Sequence, residues 1–137
     1  ISNIYGVGEV SPRLVNTSIR KMLKGEHCAF SAGEQLYDFI YVTDASRALR
    51  MIGESGHANK TYYIGSEPMP LKEYLKELRD RVDPSIEIGL GELAFKGVTL
   101  DYTEFDIHAL AKDTGFEPQI SFAEGIDMTM EWIKENL

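Results

Sequence analysis

The sequence predicts a mixed α/β fold, and two observations carry that prediction. The first is Gln35-Leu36-Tyr37-Asp38-Phe39-Ile40-Tyr41-Val42-Thr43-Asp44-Ala45, where a strand-like run passes straight into a helical pattern. Phe39 to Thr43 is apolar, aromatic or β-branched and suits a short buried or half-buried strand. Asp44 then offers a side-chain oxygen to the N–H groups of a helix in which Ala45, Ala48, Leu49 and Ile52 recur on one face. The second observation is that short β-rich runs alternate with amphipathic stretches, the layout of an α/β fold rather than an all-α or all-β one. Gln35, Tyr37 and Asp38 lead into the strand where a cleft would lie; they also read as a surface turn before a core strand.

In chain order, Ile1 to Tyr5 reads as the end of a strand stopped by Gly6 and Gly8. Ser11-Pro12 reads as a helix start, with Ser as cap and Pro in the first turn. Val15, Ile19, Met22 and Leu23 give that helix an apolar stripe, and Gly25 is suited to end it in a left-handed conformation. Cys28 to Phe30 is a short strand candidate, followed by a turn at Ser31 to Glu34. After the helix from Ala45, Gly53 and Gly56 open a polar loop, and Thr61 to Gly65 is a second strand rich in β-formers. Pro68 and Pro70 make Ser66 to Pro70 a loop. Leu71, Leu75, Leu78 and Val82 mark a helix closed by Asp83-Pro84, and Ile86 to Ile88 a brief strand. Val98 to Tyr102 looks extended, and Asp106 caps a short helix that Gly115 ends. Ser121-Phe122-Ala123-Glu124 is a capping box opening a last helix with Phe122, Ile126, Met130 and Ile133 on one face.

The bulk properties narrow the function. A chain of 137 residues is one domain's worth and buries roughly two-thirds of its unfolded surface. With 43% apolar and 26% charged residues it has the composition of a globular protein. A net charge of −8 argues against a nucleic-acid partner, while leaving room for a small phosphorylated ligand held by a few local cations. Cys28 is the single cysteine, so no internal disulfide forms, which fits a reducing compartment. No run approaches the ~18 apolar residues of a membrane span. The expected location is therefore cytoplasmic, with no membrane partner. The strand-like opening at Ile1, without a methionine, leads to the expectation that the chain is a piece of something longer.

Several local patterns carry no chemistry. Gly89-Leu90-Gly91-Glu92-Leu93-Ala94 matches a dinucleotide-binding pattern in letters, but Lys96-Gly97 follows at once and no acidic residue stands twenty positions on, so it reads as a loop. His27, His57 and His108 are far apart, without carboxylate or cysteine at ligand spacing, so no metal is expected. Cys28, between His27 and Ala29-Phe30, reads as a packed small hydrophobe rather than a nucleophile. The chain carries no complete catalytic constellation.

Taken together, the ordered blocks are more specific. Asn3-Ile4-Tyr5-Gly6-Val7-Gly8 resembles the Asn-x-Tyr-Gly-Pro-Gly segment of the extended short-chain dehydrogenase/reductase family, the nucleotide-sugar epimerases and dehydratases. Gly33-x-Gln35-Leu36-x-Asp38-Phe39-Ile40-Tyr41-Val42-x-Asp44 is similar to that family's Gly-x-Gln-x-Arg-Asp-Phe-Ile-Tyr-Val-Asp-Asp. Tyr62-x-Ile64-Gly65-Ser66 is similar to its Tyr-Asn-Ile-Gly-Ser, and Asp106 through Phe116-Glu117-Pro118, Ser121, Glu124-Gly125 and Trp132 follows its C-terminal signature.

The resemblance implies that residues 1–137 are the C-terminal, substrate-binding region of an NAD(P)-dependent nucleotide-sugar epimerase, dehydratase or 4-keto reductase. The strands after Tyr37 and Lys60 would then join a parallel Rossmann sheet whose N-terminal half lies outside the chain, the rest forming a small mixed α/β substrate lobe. NAD or NADP would be bound mainly by that other half. None of the seven tyrosines has a lysine four residues on, and no Gly-rich cofactor loop is present, so the chain alone is expected to be inactive. Edges and apolar faces meant for the other half suggest a homodimer.

Carried over position by position, Asn3 matches the asparagine that hydrogen-bonds the substrate diphosphate, and Ser2 the position beside the nicotinamide, mostly through main-chain contact. Arg13 and Leu14 match phosphate and base contacts at the first helix. Cys28 and Phe30 match the strand flanking the nucleobase, where an aromatic either stacks on a base or fills core. Lys96 falls near the arginine that closes over ribose and phosphates. Two positions depart from the pattern. Tyr37 stands where the family has a diphosphate-binding arginine, and Tyr63 where it has asparagine. Both departures leave open an alternative: a non-catalytic small-molecule binding module derived from the same fold.

Overall fold

The computed structural model describes residues 1–136. In chain order the elements are β1 (Asn3–Tyr5), α1 (Leu14–Leu23), β2 (Cys28–Phe30), β3 (Leu36–Tyr37), β4 (Phe39–Tyr41), α2 (Val42–Ser55), β5 (Met69–Pro70), α3 (Leu71–Val82), β6 (Ile88–Leu90), a 3-10 turn (Tyr102–Glu104), α4 (Ala109–Thr114) and α5 (Phe122–Glu135). The mixed α/β class is as expected, and two of the three strand pairs are parallel.

The pair β1–β4 organises the molecule. Asn3 lies opposite Phe39, Ile4 opposite Ile40 and Tyr5 opposite Tyr41 in parallel register. Side chains alternate between the two faces of a strand, so Tyr5, Phe39 and Tyr41 turn to one side and Ile4 and Ile40 to the other. The first side meets α1, α3 and α5, with Ile19, Leu75, Leu78, Ile126 and Ile133 at its heart. Tyr5, Phe39, Tyr74 and Phe122 interlock there edge-on or tilted, with ring centroids 4.7–6.2 Å apart, a geometry worth about 0.5–1.5 kcal/mol per pair beyond area burial. The second side meets α2 and α4 through Ala45, Ala48, Leu110 and Phe116. Gly125 lets α5 lie against the strands, because a Cβ there would strike the Tyr5 hydroxyl and the Tyr41 ring.

Smaller pairs flank this core. β2 and β6 pair in parallel, Cys28 opposite Ile88 and Phe30 opposite Leu90, and β3 pairs antiparallel with β5. The capping box of α5 forms as expected, Ser121 Oγ accepting from Glu124 N and the Glu124 carboxylate accepting from Ser121 N. Gly25 ends α1 at φ +69°, with Glu26 N bonded to Lys21 O at 2.9 Å.

Other elements differ from the sequence reading. α1 starts at Leu14, because the Ser11 N–H and hydroxyl go to the Glu9 carboxylate instead of capping a helix. α2 starts at Val42, so Asp44 lies inside its first turn and Leu49, expected on the buried face, is exposed. Thr61 to Gly65 forms no ladder; Ile64 O accepts one bond, from Ser2 N at 2.8 Å. Ile88–Leu90 is the strand, two residues later than expected, so Gly89 and Leu90 lie in a ladder rather than a loop. Within the expected Ser66–Pro70 loop, Met69–Pro70 pairs with β3. Val98 to Leu100 makes no ladder, and α4 begins at Ala109 with His108, not Asp106, at its cap position.

Candidate functional site

Asn3 opens β1 on the same side as Tyr5, facing the start of α1. That placement creates a pocket of about 440 Å³ lined by Ser2, Asn3, Tyr5, Glu9, Arg13, Leu14, Asn16, Tyr37, Phe39 and Thr129, among others. Five sequence-predicted residues meet here: Ser2, Asn3, Arg13, Leu14 and Tyr37. The Asn3 amide donates one hydrogen to Asp38 O at 3.1 Å, which fixes its plane. Arg13 is exposed and stands 4.0 Å from Glu9. Tyr37 is half-buried, its ring tilted against Phe39 at 5.9 Å. Ser2 N–H is bonded to Ile64 O, while Ser2 Oγ is buried with no hydrogen-bond partner.

Glu9, Asn16 and Thr129 were not anticipated as pocket residues. Asn16 had a signal, since it stands three residues after Arg13 on one helix face. Its amide donates one N–H to Ser11 O at 2.9 Å, and its Oδ1 accepts from Arg20 Nε at 3.0 Å. Glu9 had none: its place depends on the turn that folds its carboxylate back onto Ser11, a bond that holds this carboxyl below its usual range.

Cys28 and Phe30 lie elsewhere. Together with Leu14, Pro12 and Lys21 they border a smaller pocket of about 270 Å³. Both side chains point into the core, at 2% and 7% exposure. Phe30 therefore fills core, and Ala29, half-exposed between them, is the side chain β2 presents outward. Burial pushes the Cys28 thiol up, as expected for a packed hydrophobe. Lys96 sits on the wholly exposed stretch 91–101 and lines neither pocket.

Two buried carboxylates hold this framework. Asp38, expected at a cleft entrance, is fully buried; it accepts from Tyr63 Oη at 2.6 Å and from Ser66 N at 2.9 and 3.0 Å. Burial pushes its carboxyl up, while the Tyr63 and Ser66 bonds pull it down. Asp44 caps no helix of its own. Its Oδ2 accepts from Gln119 N and Ile120 N, both at 2.9 Å, and its Oδ1 accepts from Arg47 at 2.9 Å. It therefore ties the start of α2 to the segment leading into α5. A third carboxylate, Asp113, accepts from Lys60 and from Tyr62 Oη, which hold it below the usual range. Among the described residues no group of His, Cys, Asp and Glu is arranged to hold a metal ion, and no helix is long and apolar enough to cross a membrane.

Residues 1–65 match the NAD dependent epimerase/dehydratase family. Over that stretch, just under half of the chain, the sequence is similar to these enzymes. The match contains β1, α1 and β4, and with them every lining residue of the larger pocket named above except Thr129. The dTDP-glucose 4,6-dehydratase of Salmonella typhimurium is 27% identical over 144 residues, covering 98% of this chain and 40% of that protein. The dTDP-glucose 4,6-dehydratase 1 of Escherichia coli is 28% identical over the same span. The UDP-glucose 4-epimerase of Thermotoga maritima, solved with UDP-glucose, superposes with a TM-score of 0.78 at 26% identity, over 98% of this chain and 44% of that one. The UDP-glucuronic acid 4-epimerase of Bacillus cereus shares the fold at 20% identity and a TM-score of 0.78, covering 99% of this chain and 44% of that one. The chain thus spans about 40% of the length of the curated epimerase/dehydratase relatives it matches.

Proposed function

We propose that residues 1–137 are the C-terminal, nucleotide-sugar-binding region of an NAD(P)-dependent epimerase, dehydratase or 4-keto reductase. The observation that supports this most is convergence. Asn3, Arg13 with Leu14, and Tyr37, from three separate stretches of the chain, line one pocket together with Ser2. The Asn3 amide, oriented by Asp38 O, has a second N–H to offer a phosphate oxygen without adding charge. Arg13, at the cap position of α1, supplies positive charge at the end of a helix where an anion is favoured. A base lying along β2 would meet Ala29 and main chain, since the Cys28 and Phe30 side chains are packed inside. Lys96 would serve as a point charge over the phosphates from its exposed stretch.

For the cofactor, Ser2 lines the same pocket as Asn3 and would stand beside the nicotinamide mostly through its main chain. A bound NAD(P) would supply hydride transfer. The 137 residues contain neither Tyr-x-x-x-Lys nor a Gly-rich loop, so on this reading they bind and orient substrate without turning it over.

A second reading, a non-catalytic binding module, is favoured by one feature of the same pocket. Glu9 and Arg13 offset each other there, and Tyr37 adds no positive charge. Calorimetric titration of the full-length protein with UDP-, dTDP-, GDP- and CDP-sugars in the presence of NAD separates the two. Tight binding of one base class supports the enzyme reading, and silence from all four supports the module.

A further inference from the structure

Tyr63 belongs to neither hydrophobic core. It is half-buried, and its ring meets residues of the segment that follows the exposed stretch 91–101. Tyr102 packs edge-on against it at 6.1 Å, Phe105 lies tilted against it at 5.8 Å, and the two contact each other at 6.3 Å. The other end of Tyr63 is anchored: its hydroxyl donates to buried Asp38, whose carboxylate also accepts from Ser66 N. Gly65 leaves the room this needs, because a Cβ there would collide with the Asp38 carboxylate and the Tyr63 ring.

The seated segment has a consequence for shape. Thr99 to Thr103 form one side of an open cavity of about 910 Å³, and Leu36 with Ser66, Glu67 and Pro68 lines it as well. Leu36 of β3 lines this cavity, while Tyr37, next to it on the strand, lines the 440 Å³ pocket. The turn itself is self-contained, Asp101 accepting from Thr103 N and Thr103 Oγ1. Its attachment to the body runs through the aromatic contacts.

We infer that Tyr63 is a positioning residue: held by Asp38 at its hydroxyl, its ring seats Tyr102 and Phe105 and thereby sets the width of the cavity beside β3. Tyr63 acts through the two rings it holds and not by touching a ligand. The inference does not depend on the nucleotide-sugar reading, because the segment's attachment is measurable without any ligand.

The test is amide hydrogen exchange on the full-length protein and on Tyr63→Leu, Tyr63→Phe and Tyr102→Ala. Loss of two aromatic contacts should raise exchange at the hydrogen-bonded amides of 103–105 about tenfold in Tyr63→Leu and Tyr102→Ala. Protection in α1, α3 and α5 should be unchanged. Tyr63→Phe keeps the ring but loses the hydroxyl bond to Asp38, and its protection should fall between those of the native protein and Tyr63→Leu. Where Tyr63→Leu does not fold, Tyr102→Ala carries the test from the partner that does not bond buried Asp38. Unchanged exchange at 103–105, or a rise shared equally by the helices, overturns the inference.

Discussion

Replacing Tyr37 with arginine adds a formal positive charge where the pocket carries one exposed cation already offset by a carboxylate. Arg13 and Glu9, 4.0 Å apart, sum to zero formal charge, and the Tyr37 phenol contributes at most a neutral hydrogen bond. A guanidinium donating to a phosphate oxygen is worth about 1.5–3 kcal/mol as a charge-assisted bond. Ordering its long side chain costs about 0.5–1.5 kcal/mol. The balance of about 1–2 kcal/mol corresponds to roughly 5- to 30-fold tighter binding. The ring contact with Phe39 is lost in the free and bound states alike, so it lowers stability without entering the affinity. Calorimetry with UDP and dTDP on the full-length protein and its Tyr37→Arg variant measures this directly. The gain should shrink as salt is raised. Affinity unchanged within about twofold, at low salt and with the variant folded, would refute the placement of a diphosphate beside Tyr37.

Other consequences follow from named contacts. Glu9→Gln removes the negative charge beside Arg13 and should tighten UDP or dTDP by about twofold to fivefold, modest because Arg13 is exposed and the two charges are 4.0 Å apart; weaker binding would contradict it. Asp44→Ala leaves Gln119 N and Ile120 N without their acceptor and should cost about 2–4 kcal/mol in urea unfolding, whereas a cost below about 0.5 kcal/mol would deny Asp44 its tying role. The Asp113 carboxyl, held low by Lys60 and Tyr62, contributes stability that is full above the ordinary aspartate range and lost as pH falls through its lowered value. Asp113→Asn should therefore flatten part of the acid limb of a melting-temperature profile; an identical limb would argue against it. Cys28, buried with its thiol pushed up, should react with a thiol reagent only on unfolding.

Helix ends that depend on neighbouring residues were legible in the sequence. The Ser121–Glu124 capping box, the turn at Gly25, and the buried face of α3 all appear as the spacing implied. Where a polar side chain takes a partner outside its own helix, local reasoning failed. Asp44 bonds the backbone 75 and 76 residues away instead of its own helix, and Ser11 is claimed by Glu9 before it can cap α1. Thr61 to Gly65 has strand propensity but a strand also needs a partner, and Ser2 provides a single bond. The candidate site divides in the same way. Resemblance identified β1, the start of α1 and Tyr37, which meet in one pocket, but it could not tell which face of β2 turns inward. Cys28 and Phe30 sit on the core face of that strand, and Ala29 between them faces out. Glu9 was invisible because its role depends on a turn, not on a motif.

The central claim is that Ser2, Asn3, Arg13, Leu14 and Tyr37 form the ligand site. Amide hydrogen exchange of the full-length protein, with and without a saturating nucleoside diphosphate, tests it most directly. The account predicts slowed exchange at residues 2–5, 13–16 and 36–39, with α4 and the outer face of α2 unaffected. Saturated binding that leaves those three segments unprotected, and protects another part of the chain instead, would contradict it.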